Sequence, residues 1–154
     1  MFSPEIEQKI EATINKYPHK RSALLPLIHI AQNEQGQITE EAIAYIAEKL
    51  DLMPVEVYEV VTFYSMYFLD PIGKYNLQVC RTISCMLCGA YDILDHLRNK
   101  LGIKNGEVTK DGRFRLTEVE CLGSCSTAPA MQVNFDYHEN LTTEKVDQIL
   151  AKLP

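Results

Sequence analysis

All five cysteines of this 154-residue chain fall between positions 80 and 125: Cys80, Cys85, Cys88, Cys121 and Cys125. An odd, clustered set of this kind points to metal or redox chemistry rather than to structural disulfides. Hydrophobic residues make up 46% of the chain and charged residues 23%, the balance of an ordinary globular protein. A core can therefore form without a metal or disulfide staple. Any group held by these cysteines is expected to be functional.

Charge narrows the partners. The formal net charge is −6, which argues against nucleic acid, whose phosphates call for stripes of Lys and Arg. It argues equally against an anionic membrane surface. No apolar run approaches the ~20 residues that a spanning helix needs, so no direct membrane insertion is expected. The start, Met1-Phe2-Ser3-Pro4-Glu5-Ile6-Glu7, is acidic and has no basic region followed by an apolar stretch. No secretion signal is read there, and a cytoplasmic location is expected.

The chain up to about residue 65 reads as helices. Ser3 is placed to cap a first helix with Pro4 at its first position, and Ile6, Ile10 and Ile14 share a face. Ser22 is placed to cap a second helix from Ala23 to Gln35, stopped by Gly36. Thr39 opens a third, with Ile43, Ile46, Ala47 and Leu50 as its apolar stripe. Pro54 starts a fourth through Val57, Val60 and Val61. Pro71 and Gly73 then punctuate the chain and the pattern changes. Tyr75–Cys80 reads as a strand, Met86–Lys100 as one helix, Phe114–Val119 as a second strand and Met131–Asn134 as a third. A short fourth strand is expected between Asp136 and Asn140, and Thr142 caps a last helix. The order β-α-β-β-(β)-α suits a thioredoxin-like sandwich whose first strand and helix begin a βαβ unit.

Two cysteine pairs lie where a strand gives way to a loop. Cys80 and Cys85 are spaced C-x4-C, and Cys121 and Cys125 are spaced C-x3-C. Such loops can wrap an inorganic cluster, with backbone N–H groups directed at the sulfurs. Gly123 can supply positive φ and close backbone approach. Cys85 is expected near a helix N-terminus, where the dipole favours thiolate. Four thiolates suffice for an iron–sulfur cluster, and one of the five is left over. One assignment uses the two pairs and leaves Cys88 idle. The other uses Cys80, Cys85, Cys88 and a downstream cysteine, the plant-type ferredoxin spacing, and leaves Cys125 idle. Spacing alone does not decide between them. Context favours the pairs, because Met86-Leu87-Cys88-Gly89-Ala90 looks like a first helical turn that points Cys88 away. Two further readings stay open. Cys85-x2-Cys88 could be the motif of a thiol–disulfide oxidoreductase, with Pro129 facing it. A four-cysteine zinc site is the other, although such sites usually use two C-x2-C knuckles and only one is present.

The segment Val57-Tyr58-Glu59-Val60-Val61-Thr62-Phe63-Tyr64 is followed in order by Cys80-x4-Cys85, Gly89-Ala90 and Cys121-Leu122-Gly123-x-Cys125-x2-Ala128-Pro129. Together they resemble the small [2Fe–2S] subunit of NADH:quinone oxidoreductase, respiratory complex I. The resemblance covers nearly the whole chain. It implies an α+β fold, with an N-terminal helical bundle (residues 1–70) followed by a thioredoxin-like [2Fe–2S] ferredoxin domain (71–154). It also implies cluster ligation by Cys80 and Cys85 on one iron and by Cys121 and Cys125 on the other. The implied partner is a flavoprotein subunit carrying FMN, a [4Fe–4S] cluster and the NADH site, together with further peripheral-arm subunits on the cytoplasmic side of the inner membrane. Relatives of this subunit also serve NAD-linked formate dehydrogenases and hydrogenases. Cys88 and Arg115 depart from the family pattern, Arg115 standing where a small hydroxyl residue is usual. Arg115 is expected to alter a surface contact.

The chain has no GxGxxG fingerprint and no P-loop, so hydride chemistry is expected on the partner. The implied role is electron transfer within an oxidoreductase complex, with no complete active site on this chain. His19, His29, His96 and His138 are scattered, and His96 reads as a surface or core residue rather than a ligand. The aromatic run Phe63, Tyr64, Tyr67 and Phe68 reads as packing, or else as a partner surface. The helical region, residues 1–68, is expected to anchor the chain to its flavoprotein partner.

Overall fold

In the computed structural model, which describes residues 2–154, helix starts follow their side-chain caps. The unit Met1–Pro71 is built from α1 (Pro4–Ile14), a 3-10 turn (Lys20–Ala23), α2 (Leu24–Gln35), α3 (Glu40–Leu50) and α4 (Pro54–Phe63). The Ser3 hydroxyl accepts the Ile6 N–H at 3.3 Å and the Thr39 hydroxyl accepts the Ala42 N–H at 3.1 Å. Each satisfies an amide that the helix leaves unpaired. The Glu56 carboxylate reaches back to the Met53 N–H at 2.9 Å and fixes the start of α4. Ser22 does not cap α2 as its position suggests. It lies inside the 3-10 turn, and Ala23 stands at the helix start without a side-chain cap. Gly36 ends α2 in the left-handed region at φ +71°.

The apolar stripes of these helices meet in one core that includes Ile10, Leu27, Ile28, Ile46, Val57 and Val61. The chain leaving α4 is folded back by the buried Gln32, whose amide donates to the Met66 carbonyl at 2.9 Å. Its carbonyl oxygen accepts the Phe68 N–H at 2.8 Å. The aromatic run divides accordingly. Tyr67 is buried and its hydroxyl donates to the Leu25 carbonyl, while Phe63 is 79% exposed.

The unit Ile72–Pro154 carries β1 (Tyr75–Cys80), α5 (Ile83–Leu87), α6 (Ala90–Leu101), β2 (Phe114–Val119), a 3-10 turn (Cys125–Thr127), β3 (Met131–Val133), β4 (Asp136–His138) and α7 (Thr143–Lys152). The sheet order is β2-β1-β3-β4. β1 and β2 run parallel, so α6 is the crossover of a βαβ unit. β1–β3 and β3–β4 are antiparallel. Strand alternation brings Leu77, Val79, Leu116, Met131 and Val133 into one core with Ile93, Leu94 and Leu97 of α6 and Val146 and Leu150 of α7. α6 and α7 are also tied by polar contacts. Asp147 accepts from His96 Nε2 at 2.6 Å and from Lys100 Nζ at 2.8 Å, and both partners hold its carboxyl below the usual range.

Two expectations need correction here. Met86–Lys100 is not one helix. α5 ends at Leu87, and Gly89, at φ +93°, starts α6 on a new axis. The apolar register continues across the break, so periodicity reads the two helices as one. Arg115 is not at the surface. It is 9% exposed and lies within β2, opposite Asn76 of β1.

Candidate iron–sulfur site

Parallel pairing brings the C-terminal ends of β1 and β2 side by side, with Cys80 opposite Val119. The first cysteine loop leaves one strand end and the second leaves the other. Arg81 and Glu120, the residues on either side of this junction, form an ion pair across it. The Arg81 N–H also donates to the Val119 carbonyl at 3.0 Å.

Cys80 and Cys85 are each 2% exposed and pack with Ala90, Ala130, Leu122 and Ala128. Cys88, Cys121 and Cys125 are exposed, and all five thiols are free. The Cys80 sulfur lies 3.2 Å from the Thr82 hydroxyl oxygen and 3.4 Å from the Glu120 carbonyl oxygen. Burial alone would push the Cys80 thiol up. The hydroxyl and N–H of Thr82, the Leu122 N–H and the Cys85 thiol outweigh it and hold Cys80 below the ordinary thiol range. Burial, with the Cys80 thiol beside it, pushes Cys85 up to about 11 against the pull of the Ala130 N–H, and Cys125 adds to the rise. The thiol held low is therefore Cys80, not Cys85 as its place near a helix start suggests. α5 has only five residues, too short for much of a dipole, and Cys85 points inward from it.

The second loop is shaped around its own cysteines. The Gly123 N–H donates to the Cys121 sulfur at 3.3 Å. Gly123 has φ +80°, and a Cβ there would meet no protein atom within 4 Å. The glycine is thus required by the turn and not by crowding from the protein. Cys125 opens the 3-10 turn Cys125–Thr127. The loop is pinned from outside by the Tyr137 hydroxyl on the Leu122 carbonyl at 3.1 Å, by the Thr127 hydroxyl on Glu139 at 2.7 Å and by the Leu141 N–H on the Pro129 carbonyl at 3.1 Å.

The fold brings Cys80 and Cys85 together and sets the Cys121–Cys125 loop beside them. Cys88 is different. It is the exposed C-terminal cap of α5, while the Cys85 sulfur faces Cys80 and feels Cys125. This arrangement serves dithiol chemistry badly, because Cys85 is 2% exposed and a reactive thiol has to be within reach of its substrate. Among the described residues, no three His, Cys, Asp or Glu side chains converge on a single metal-ion position. A two-iron cluster asks for two thiolates on each iron. The two cysteine pairs, with N–H groups of Thr82, Leu122, Gly123 and Ala130 turned towards their sulfurs, fit that demand.

Cysteine spacing and family motifs do not single out Thr82 or Ala130, and they mark Leu122 by its side chain and not by its N–H. Thr82 has a signal, since it is the hydroxyl residue inside the C-x4-C loop. The two backbone donors have none, because an N–H carries no sequence mark. A depression of about 850 Å³ lies towards the opposite end of β2, with Lys100, Val108, Lys110 and Phe114 among its lining, and contains no cysteine.

Comparisons with known proteins place the chain in a family. The chain is 46% identical over 145 residues to a subunit of the NADH-quinone oxidoreductase of Rhizobium meliloti, covering 94% of this chain and 86% of that one. It is 49% identical over 146 residues to a subunit of the NADH-quinone oxidoreductase of Rickettsia bellii, covering 93% and 87%. Among solved structures it is similar in fold to an NAD+-reducing [NiFe]-hydrogenase in the air-oxidised state, with a TM-score of 0.76 at 24% identity. That match covers 85% of this chain and 22% of the hydrogenase chain. The family model for thioredoxin-like [2Fe–2S] ferredoxins matches residues 10–154, and the chain belongs to that family.

Proposed function

We propose that this chain is the [2Fe–2S] electron-transfer subunit of an NADH-linked quinone oxidoreductase, holding its cluster on Cys80, Cys85, Cys121 and Cys125. The observation that carries the ligand set is the facing of a buried Cys80–Cys85 pair by the Cys121–Cys125 loop, with Cys88 turned out at the end of α5. When bound, the cluster supplies one-electron chemistry that no side chain here offers. The chain's own residues supply the rest. Cys80 and Cys85 would hold one iron, and their sulfurs lie in a pocket closed by Ala90, Ala130 and Leu122, which limits water. Cys121 and Cys125, which are exposed, would hold the other. N–H groups around the sulfurs offset the charge the site gains on reduction.

The NADH-quinone oxidoreductase relatives support placing the chain in a complex with a flavoprotein that carries FMN, a [4Fe–4S] cluster and the NADH site. A flavin there would supply the two-electron hydride chemistry, and a cluster on this chain would accept its electrons one at a time. The helical unit anchors the chain to that partner, and the complex works from the cytoplasmic side of the membrane. No helix among the described residues is long and apolar enough to cross one.

Low-temperature EPR of the anaerobically purified chain, before and after dithionite, tests the reading. The expected result is a silent oxidised state that gains one S = 1/2 signal on reduction, with two irons per chain. Silence in both states after attempted cluster reconstitution, with no iron bound, overturns it.

A further inference from the structure

The Thr82 hydroxyl occupies a position that helix geometry would assign to another task. Thr82 is the N-cap of α5, yet its side chain makes no capping hydrogen bond. A threonine at that position usually accepts an amide two or three residues on. Here its oxygen lies 3.2 Å from the Cys80 sulfur. In the free thiol either atom could donate. Once the sulfur is a metal-bound thiolate it has no hydrogen, so the hydroxyl becomes the donor. A hydroxyl that donates to a sulfur favours negative charge on it.

We propose that Thr82 is a potential-tuning residue: its hydroxyl donates a hydrogen bond to the cluster-ligating sulfur of Cys80, stabilises the reduced state over the oxidised one and so raises the reduction potential. The inference rests on the ligand set proposed above. Its physical basis is the charge change. One electron added from a donor such as dithionite makes the cluster more negative by one unit, and part of that charge resides on the sulfurs. A donor aimed at a sulfur is worth more to the state that carries more charge. Cys80 is 2% exposed, so the hydrogen bond acts on a sulfur held away from bulk water, where it counts for more. The backbone donors to Cys80, from Thr82 and Leu122, remain when the side chain changes, so the cluster is expected to stay in place.

EPR-monitored redox titration of the cluster-loaded full chain tests this in Thr82→Val, Thr82→Ser and Cys80→Ser. Thr82→Val keeps the shape and loses the hydroxyl. Its equilibrium constant for reduction is expected to fall about tenfold, a potential more negative by about 59 mV for a one-electron couple. Thr82→Ser restores the hydroxyl and is expected to titrate with the unaltered chain. If Thr82→Val does not hold its cluster, Thr82→Ala carries the same expectation. A hydroxyl-free variant within twofold of the unaltered chain overturns the proposal, as does Thr82→Ser shifting as far as Thr82→Val. Cys80→Ser separates the two levels of the argument. Unchanged EPR signal and potential in that variant remove Cys80 from the ligand set, and the Thr82 proposal falls with it. A changed signal in Cys80→Ser beside an unmoved Thr82→Val leaves the ligand set standing and overturns Thr82 alone.

Discussion

Burial sorts the thiols of this chain before any metal is considered. Cys80 and Cys85 are inside, Cys121 and Cys125 sit on a loop shaped by Gly123, and Cys88 ends a short helix at the surface. If the two pairs ligate the cluster, Cys88 is dispensable and Cys125 is not. Cys88→Ser is expected to keep two irons and an unaltered EPR signal, while Cys125→Ser loses the cluster or returns a strongly changed signal. Iron and labile-sulfide assay with EPR on both variants checks this, and the reverse pattern would favour the plant-type set. At this scale the sequence shows which residue types matter and leaves their grouping open. C-x4-C-x2-C is equally good spacing for either set, and what separates them is where Cys88 points. That depends on the left-handed Gly89, a backbone fact with no signature in cysteine spacing. Context does turn Cys88 away, but as the first turn of a helix rather than the end of one.

Elements with caps are legible in the sequence, and the one break without a periodic signal is not. Ser3, Thr39 and Thr142 cap as their positions suggest, each hydroxyl accepting an amide three residues on. β1 and β2 are legible at their observed bounds and β3 to within one residue, while β4 shows only as a short stretch within the turn-rich segment 136–140. The α5–α6 junction is hidden because Leu87, Ala90, Tyr91 and Leu94 keep helical register through Gly89. Gly89→Ala tests why that residue is there. A Cβ would come no closer than 3.4 Å, to Asp92 Oδ2, so the cost is conformational and not steric. At φ +93° an L-residue loses about 1–2 kcal/mol relative to glycine. The urea midpoint of the chain is expected to fall by that loss divided by m, at an unchanged m-value. An unmoved midpoint would mean that α5 and α6 re-form around the alanine at no cost.

At the scale of the whole chain, chemistry and helical mass are segregated. The Met1–Pro71 unit contains no cysteine, and the backbone passes out of it at Pro71, shortly before Gly73. Every thiol, every N–H directed at one and the Arg81–Glu120 pair across the two loops lie within Ile72–Pro154. That unit also has its own core. Leu77, Val79, Leu94, Leu97, Leu116, Met131 and Val146 are fully or almost fully buried in one cluster, and at about 25 cal/mol per Å2 of apolar surface such side chains drive folding without outside help. Cluster assembly and helical scaffold are therefore expected to separate. A chain beginning at Ile72 should bind two irons and titrate within twofold of the full chain in its equilibrium constant for reduction. Iron and sulfide assay with redox titration decides it. Loss of the cluster on truncation, with strand and helix signals intact by circular dichroism, would mean that the helical unit contributes to closing the site. Retention would confine what sets the potential to the two loops, and leave the helical unit for binding the partner.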